Sequence, residues 1–357
     1  MSQIDLTELV RFKIKGLKAY QVENLEEGIK LHANENPYPP SPELLKKVFQ
    51  QVDELKLNRY PDPDCKSLKK AVSRRTGAPV EQIIIGNGSD ELIQYLMQIL
   101  CDAGETIAFP DPTFAMYGIT AQCLGLNPVS FPLDDNWDFK AGPSLKVLAE
   151  NKARIVFISY PNNPTGNCFS EIEIQKVIEQ FKGIVVLDEA YQDFSGKTFL
   201  PQMAKHNNLV ILRSLSKIGL AGLRVGYGIF PSLLANQVNK VRLPYNSNSI
   251  SQWIAAELLN NFSHVQNQIQ SILEEQIRLT GELSKFSTIK AYPSNSNFIL
   301  FHTSKESGEE LFNNLKKSGT LVRNLGSHPR LKNCLRVTIG TKEENDLFLD
   351  QLRGVVP

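Results

Sequence analysis

Cysteine is sparse in this 357-residue chain, and the five present, Cys65, Cys101, Cys123, Cys168 and Cys334, are scattered, odd in number and never spaced Cys-x-x-Cys. That pattern argues against a disulfide framework and a thiolate metal site, and it fits a reducing cytoplasm; no metal is assigned. Excess charge is missing too: 39 Lys and Arg against 38 Asp and Glu leave a formal net charge of +1. No long-range field is available to hold nucleic acid or an anionic membrane, so any anion recognition must be local. No apolar run approaches membrane-spanning length. Met1 to Tyr20 interrupts its apolar residues with Asp5, Glu8, Arg11, Lys13 and Lys15, so no secretory signal is expected there. Internal repeats and low-complexity tracts are absent. What is present, 41% hydrophobic and 22% charged residues, is the composition of an ordinary globular enzyme long enough for a large domain and a smaller companion.

The middle of the chain repeats one theme: a short apolar run stops at a polar or glycine cluster, and a helical pattern usually follows. Ile83-Ile84-Ile85 runs into Gly86-Asn87-Gly88-Ser89-Asp90-Glu91, and Glu105 to Phe109 runs into Pro110-Asp111-Pro112-Thr113-Phe114. Ile155 to Ser159 stops at Tyr160-Pro161-Asn162-Asn163-Pro164-Thr165-Gly166, Ile184 to Leu187 stops at Asp188-Glu189-Ala190-Tyr191, and Leu209 to Leu212 stops before Ser214-Leu215-Ser216-Lys217. Near-continuous apolar strands are buried on both faces, which predicts an α/β fold with a mostly parallel sheet covered by helices. In such sheets ligands sit beyond the carboxyl ends of the strands, where all these clusters fall. A helical stretch from Ser251 to Leu283 then leads to a smaller α+β domain with strands at Asn297–Phe301 and Leu335–Ile339 around a helix at Glu309–Lys317. The expected division is residues 1–40 packing with the small domain, 41–247 as the large cofactor-binding domain, and 248–357 as the interdomain helix and small domain.

Lys217, at the end of a buried strand, is costly unless something uses it. Ser214 and Ser216 just before it, and Arg224 seven residues later, suit a nearby phosphate. Pyridoxal 5'-phosphate joined to the lysine would use all four groups. Asp188 also ends a buried strand and needs a cation, which a protonated pyridine nitrogen supplies; the alternative is a helix cap. Tyr191 and Asn163 can bond the ring's phenolate oxygen, although Asn162 to Gly166 is also an effective turn. Gly86 to Glu91 lies between strand and helix, so backbone N–H groups and Ser89 can cradle an anion at the positive helix end. A dinucleotide fingerprint is disfavoured there because Glu91 stands where the third glycine belongs. Phe114 can stack on the ring, or simply belong to the core.

With these parts assembled, the chain resembles the class II pyridoxal-phosphate-dependent aminotransferases of the aspartate-aminotransferase fold type I, and among them the histidinol-phosphate aminotransferase family. The resemblance spans nearly the whole length and implies an α/β large domain with a mostly parallel, seven-stranded type of sheet covered by helices, plus a smaller α+β domain. It is carried by Asn34-Glu35-Asn36-Pro37, Arg59-Tyr60-Pro61-Asp62, Gly88 to Glu91, Pro112 to Tyr117, Asn162 to Gly166, Asp188 to Tyr191, Ser214 to Lys217, Ala221 to Gly226, and Cys334 to Thr338. It implies that Lys217 carries the cofactor and shuttles the proton, with Asp188 facing the pyridine nitrogen and Tyr191 and Asn163 at the phenolate oxygen. Ser89, Asp90, Ser214, Ser216 and Arg224 surround the phosphate in this reading, and Phe114 stacks on the ring. It further implies a homodimer in which Tyr60 reaches the partner's cofactor phosphate, and substrate contacts from Tyr20, Asn36, Arg323 and Arg336.

The implied reaction is reversible transamination between L-histidinol phosphate and 2-oxoglutarate, giving imidazole-acetol phosphate and L-glutamate, in L-histidine biosynthesis. Both amino substrates carry an anion, and a planar guanidinium pairs with carboxylate or phosphate alike. Three departures from the family pattern stand out: the Lys217 to Arg224 loop is one residue shorter than in many members, Phe114 replaces a commoner tyrosine, and Pro39 replaces a common glycine. An aromatic aminotransferase or a decarboxylase of a phosphorylated amino acid would use the same scaffold, and these alternatives stay open on sequence alone.

Overall fold

The computed structural model describes residues 5–17, 19, 23, 25–305 and 307–356. Thirteen strands are found among them. Seven form one sheet: β2 (Ile83–Asn87), β3 (Thr106–Asp111), β4 (Asn127–Pro132), β5 (Ile155–Ser159), β6 (Ile184–Asp188), β7 (Leu209–Ser214) and β8 (Val225–Ile229), in the spatial order β2-β8-β7-β6-β5-β3-β4. Pairings from β7 through β6 and β5 to β3 and β4 are parallel, whereas β8 is antiparallel to both its neighbours. The expected mostly parallel sheet is therefore present, with one reversed strand.

Its two-sided burial follows from side-chain alternation. Ile83, Ile85, Val156, Ile158, Val185, Leu187, Leu209 and Ile211 join one core. Their alternating partners Ile84, Ile155, Phe157, Val186, Val210 and Leu212 join a second on the other face. Each such aliphatic side chain stabilises the fold by roughly 1.5–3 kcal/mol, which explains why these strands tolerate no polar residue until their carboxyl ends.

Those ends are where the polar residues gather. Ser159, Asp188 and Ser214 are the last residues of β5, β6 and β7. The reversed β8 starts immediately after Arg224 and so brings that arginine to the same edge.

A four-stranded antiparallel sheet follows, in the order β12 (Arg323–Asn324), β13 (Cys334–Thr338), β10 (Phe298–Thr303), β9 (Ile289–Ala291). Beside it, β1 (Ile29–Lys30) pairs in parallel with β11 (Thr320–Leu321). Leu31 donates its N–H to the Leu321 oxygen and accepts from the Thr338 N–H, both at 2.8 Å. This N-terminal strand delivers His32, Ala33 and Asn34 to the carboxyl edge of the large sheet. Gly28, at φ +115°, permits the approach, since a Cβ there would stand 2.2 Å from the Gly319 oxygen.

The long helix expected from Ser251 to Leu283 is two helices, Ser249–Asn260 and Ser263–Leu283. The break falls at Asn261 and Phe262. Two consecutive asparagines are weak helix formers, and the Phe262 ring is held under the Arg75 guanidinium, 3.3 Å from ring centre to Cζ. The helix expected at Glu309–Lys317 is Gly308–Lys317, started by a reciprocal capping box between Ser307 and Glu310. No helix among the described residues is long and apolar enough to cross a membrane.

Candidate active site

A cavity of about 350 Å³ opens between the carboxyl edge of the large sheet and the small sheet. Lys217 stands in it on a tight turn, Ser216–Ile218, closed by Gly219 at φ +110°. Its Nζ donates to the Ala33 oxygen at 3.3 Å and lies 5.9 Å from the centre of the Tyr191 ring. Burial, and then the neighbouring Arg336, lower its pKa to about 8. A lysine so placed is a neutral nucleophile in about one molecule in ten at pH 7, against fewer than about one in a thousand for an ordinary lysine.

Asp188 shares the cavity and is 3% exposed. Its Oδ2 accepts from the Tyr117 hydroxyl at 2.8 Å and its Oδ1 from the Ala190 N–H at 3.2 Å. Burial nevertheless raises its pKa to about 6. Lys217 is the nearby charge that steadies this carboxylate, no ion pair to it is found among the described residues, and the open cavity in front of it can admit a cation.

The Tyr191 hydroxyl receives two amide donors, Asn34 Nδ2 at 2.9 Å and Asn163 Nδ2 at 3.4 Å. Asn34 holds φ +55°, a conformation asparagine tolerates better than most residues. The turn aims its side chain inward and is held by its main chain, whose N–H donates to Thr338 Oγ1 at 2.9 Å and whose carbonyl oxygen accepts from Asn297 Nδ2 at 3.1 Å.

At the opposite end of the cavity Gly88 precedes the twelve-residue helix Ser89–Leu100. Gly88 sits at φ +81°, and a Cβ on it would meet Arg224 Nη2 at 2.8 Å; a Cβ on Gly226 would meet the Ser89 nitrogen at 2.3 Å. Glycine at both places lets β8 approach the helix terminus, so that Ser89, Asp90, Ser214, Ser216 and Arg224 all line one pocket end. Arg224 pairs with Asp90 at 3.0 Å. The shortened loop thus still delivers Arg224, itself in the left-handed region at φ +55°. Phe114 lines the same cavity, its ring edge-on to Tyr117 at 5.5 Å.

The third wall carries two arginines. Arg323 on β12 and Arg336 on β13 are register partners, and both line the cavity. Arg336 donates to Asn163 Oδ1 and, at 2.8 Å, to the His32 oxygen. Like charges directly opposite each other on antiparallel strands repel. Two of them turned into one cavity form a site for an anion.

Of the residues expected from sequence, Asp188, Tyr191, Lys217, Ser89, Asp90, Phe114, Asn163, Ser214, Ser216, Arg224, Arg323 and Arg336 all line this cavity. Asn36 does not. Its Nδ2 donates to Gln268 Oε1 at 3.0 Å and its Oδ1 accepts from the Tyr38 N–H, so it shapes the turn while Asn34, two residues earlier, faces the site. Tyr60 also lies outside this cavity, 80% exposed and stacked on Tyr245. Tyr20 lies outside the described residues. Sequence reasoning missed Asn34, Tyr117 and His32 as site residues, although Asn34 opens the Asn-Glu-Asn-Pro segment and Tyr117 closes the Pro112 to Tyr117 segment.

Residues 26–352 match the family model described as aminotransferase class I and II. The chain is 40% identical to histidinol-phosphate aminotransferase 2 of Nitrosococcus oceani over 99% of both chains. It is 37% identical to the histidinol-phosphate aminotransferase of Caldanaerobacter subterraneus, over 98% of this chain and 99% of that one. In fold it is similar to the crystal structure of histidinol-phosphate aminotransferase from Sinorhizobium meliloti in complex with pyridoxal-5'-phosphate, with a TM-score of 0.87, 22% identity, and coverage of 99% of this chain and 100% of that one. A reactive lysine, a desolvated carboxylate and an anion cradle on one sheet edge accord with these matches, and the chain belongs to the class I and II aminotransferases.

Proposed function

We propose that this chain is a histidinol-phosphate aminotransferase, transferring the amino group between L-histidinol phosphate and 2-oxoglutarate in histidine biosynthesis. The observation that carries the substrate is the register pair Arg323 and Arg336, turned into the cavity that holds Lys217. Glutamate and histidinol phosphate differ in almost everything except an anionic group, and two guanidiniums accept either anion. Support for the name comes from curated relatives at 37–40% identity over nearly the full length.

Pyridoxal phosphate fits the residues present. The glycine-lined end with Ser89, Ser214, Ser216 and Arg224 suits its phosphate, Asp188 suits its ring nitrogen, Tyr191 and Asn163 its phenolate oxygen, and Phe114 one face of its ring. When bound, the cofactor supplies an electron sink for the substrate's α-carbon. Lys217 Nζ would hold the cofactor and, once displaced by the amino substrate, take the proton from the substrate's amine-bearing carbon as general base and pass it on, rather than back, as general acid. Its lowered pKa keeps it competent for both roles near neutral pH. Asp188, its pKa pushed up to about 6 by burial, would be held more firmly in its ionised form by a cation facing it, so it couples ring protonation to cofactor binding. Asn34 and Asn163 orient the Tyr191 hydroxyl, and Arg336 fixes Asn163 in turn.

The enzyme acts as a homodimer, with Tyr60 serving the partner's cofactor phosphate; its exposed stack on Tyr245 suits an interface. Residues 41–247 form the cofactor-binding unit and 248–357 the small unit; of residues 1–40, β1 packs on the small unit through its pairing with β11, whereas Arg11 and Lys13 donate to the Cys123 and Gly125 oxygens of the large one. Five unpaired cysteines suit a cytoplasmic enzyme. The test is spectral. L-histidinol phosphate should bleach the visible band of the cofactor-loaded protein and 2-oxoglutarate should restore it, with both changes lost in Lys217→Ala. A band indifferent to histidinol phosphate but bleached by phenylalanine would overturn the substrate.

A further inference from the structure

One ionisable side chain of the cavity has no part in the reaction just described. His32 is 8% exposed and lines the cavity together with Arg323 and Arg336. Its main-chain oxygen is pinned by Arg336 Nη2 at 2.8 Å, so its place relative to that guanidinium is set. Its Nδ1 is sealed from solvent with no hydrogen-bond partner among the described residues, whereas Nε2 is neither sealed nor bonded to a described residue and is the nitrogen the cavity can reach. Buried polar groups are nearly always bonded, so an imidazole with one open nitrogen beside two arginines marks a place where a ligand completes the structure. Burial, with Arg323, Arg336 and Lys30, lowers the His32 pKa against the opposing pull of Glu35. The ring is therefore neutral at pH 7, with one N–H to donate.

We infer that His32 is a specificity-determining residue that donates a hydrogen bond to the phosphate of a phosphomonoester substrate held by Arg323 and Arg336. The inference rests on the substrate reading above and deepens it. A carboxylate's two oxygens satisfy one bidentate guanidinium and keep in-plane lone pairs for the second. A phosphomonoester sets its three terminal oxygens tetrahedrally, so the third lies out of the plane of such a pairing and is left for the imidazole. His32 thus adds a contact to an oxygen that histidinol phosphate has and glutamate lacks. Because the ring is neutral, it adds this contact without a third cation that would attract both anions equally.

The test compares cofactor-loaded wild type, His32→Ala and His32→Gln, the last restoring a donor. Loading closes the phosphate cradle at Ser89 and Arg224 to competing probes. Methyl phosphate and acetate serve as unreactive ligands in calorimetry, and L-histidinol phosphate and L-glutamate as substrates. In His32→Ala, methyl phosphate binding and the KM for histidinol phosphate should worsen about ten-fold while acetate and glutamate change less than about two-fold, with His32→Gln recovering most of the loss. Equal losses for both anion classes, or no loss for either, in a variant with native circular dichroism would overturn the role of His32. If wild type binds methyl phosphate through His32 yet does not turn over histidinol phosphate, the proposed function fails while the phosphate contact stands.

Discussion

The Tyr117 hydroxyl donates to Asp188 Oδ2 at 2.8 Å across 71 residues of sequence, with Tyr117 fully enclosed and Asp188 nearly so. The tyrosine is clamped by a stacked Phe157 at 5.0 Å and an edge-on Phe114 at 5.5 Å. It therefore ties the ring that lines the cavity to the carboxylate at the cavity floor. Burial raises the Asp188 pKa and this bond opposes the rise. In Tyr117→Phe the carboxylate loses its strongest donor, becomes a weaker anion, and should hold pyridoxal phosphate about ten-fold less tightly, as a charged hydrogen bond of about 1.5 kcal/mol implies. Equilibrium dialysis of the cofactor checks this; unchanged affinity would show the bond to be purely structural.

Capture of the cofactor by the unloaded protein should depend on pH through Lys217. Burial has moved its pKa from 10.5 to about 8. Only the neutral amine attacks a carbonyl, so the capture rate should rise with pH and level off above about 8. A stopped-flow series in which the midpoint falls near 10.5 would contradict the burial argument.

Asp188 gives a stability signature of the opposite kind. Its folded pKa, about 6, lies above the ordinary 3.8, so between those values the native state binds more protons than the unfolded chain. Stability from this group is present below pH 4 and is lost as pH rises through 6, by about 3 kcal/mol in all. Asp188→Asn removes the titration, so urea unfolding of unloaded wild type and variant should diverge progressively from pH 4 to 7. Parallel profiles would refute it.

How much of this was legible in the chain follows from which interactions are local. The strands and their polar ends were readable because each apolar run stops where burial stops, and that pattern is printed in consecutive residues. Lys217, Asp188 and Arg224 stand out because charge at such a place is costly without a partner. Tyr117 reads as a core aromatic, and only the fold sets its hydroxyl against Asp188. The choice between Asn34 and Asn36 depends on one backbone angle, the φ of +55° at Asn34, which composition does not reveal. The break at Asn261 was visible as two weak helix formers, but a long apolar periodicity on both sides concealed it.

Immediately past Asp188 and just before Ser214, a buried ion pair joins β6 to β7. Arg213 Nη2 reaches Glu189 Oε2 at 2.9 Å, with side chains 9% and 0% exposed, and Glu189 also accepts from the Phe199 N–H at 2.7 Å. Arg213→Met leaves a buried carboxylate unpaired and should cost about 3–5 kcal/mol. Arg213→Met combined with Glu189→Gln should recover much of that loss in chemical denaturation. A single variant as stable as wild type would mean that the pair is dispensable.

We propose that Arg323 and Arg336, on β12 and β13, hold the phosphate of the amino substrate. The most direct measurement is kcat/KM, with 2-oxoglutarate as acceptor, for L-histidinol phosphate and L-histidinol. Removing the phosphate leaves two guanidiniums facing an uncharged group, so histidinol should be poorer by about 100-fold or more. Histidinol matching histidinol phosphate would contradict the account.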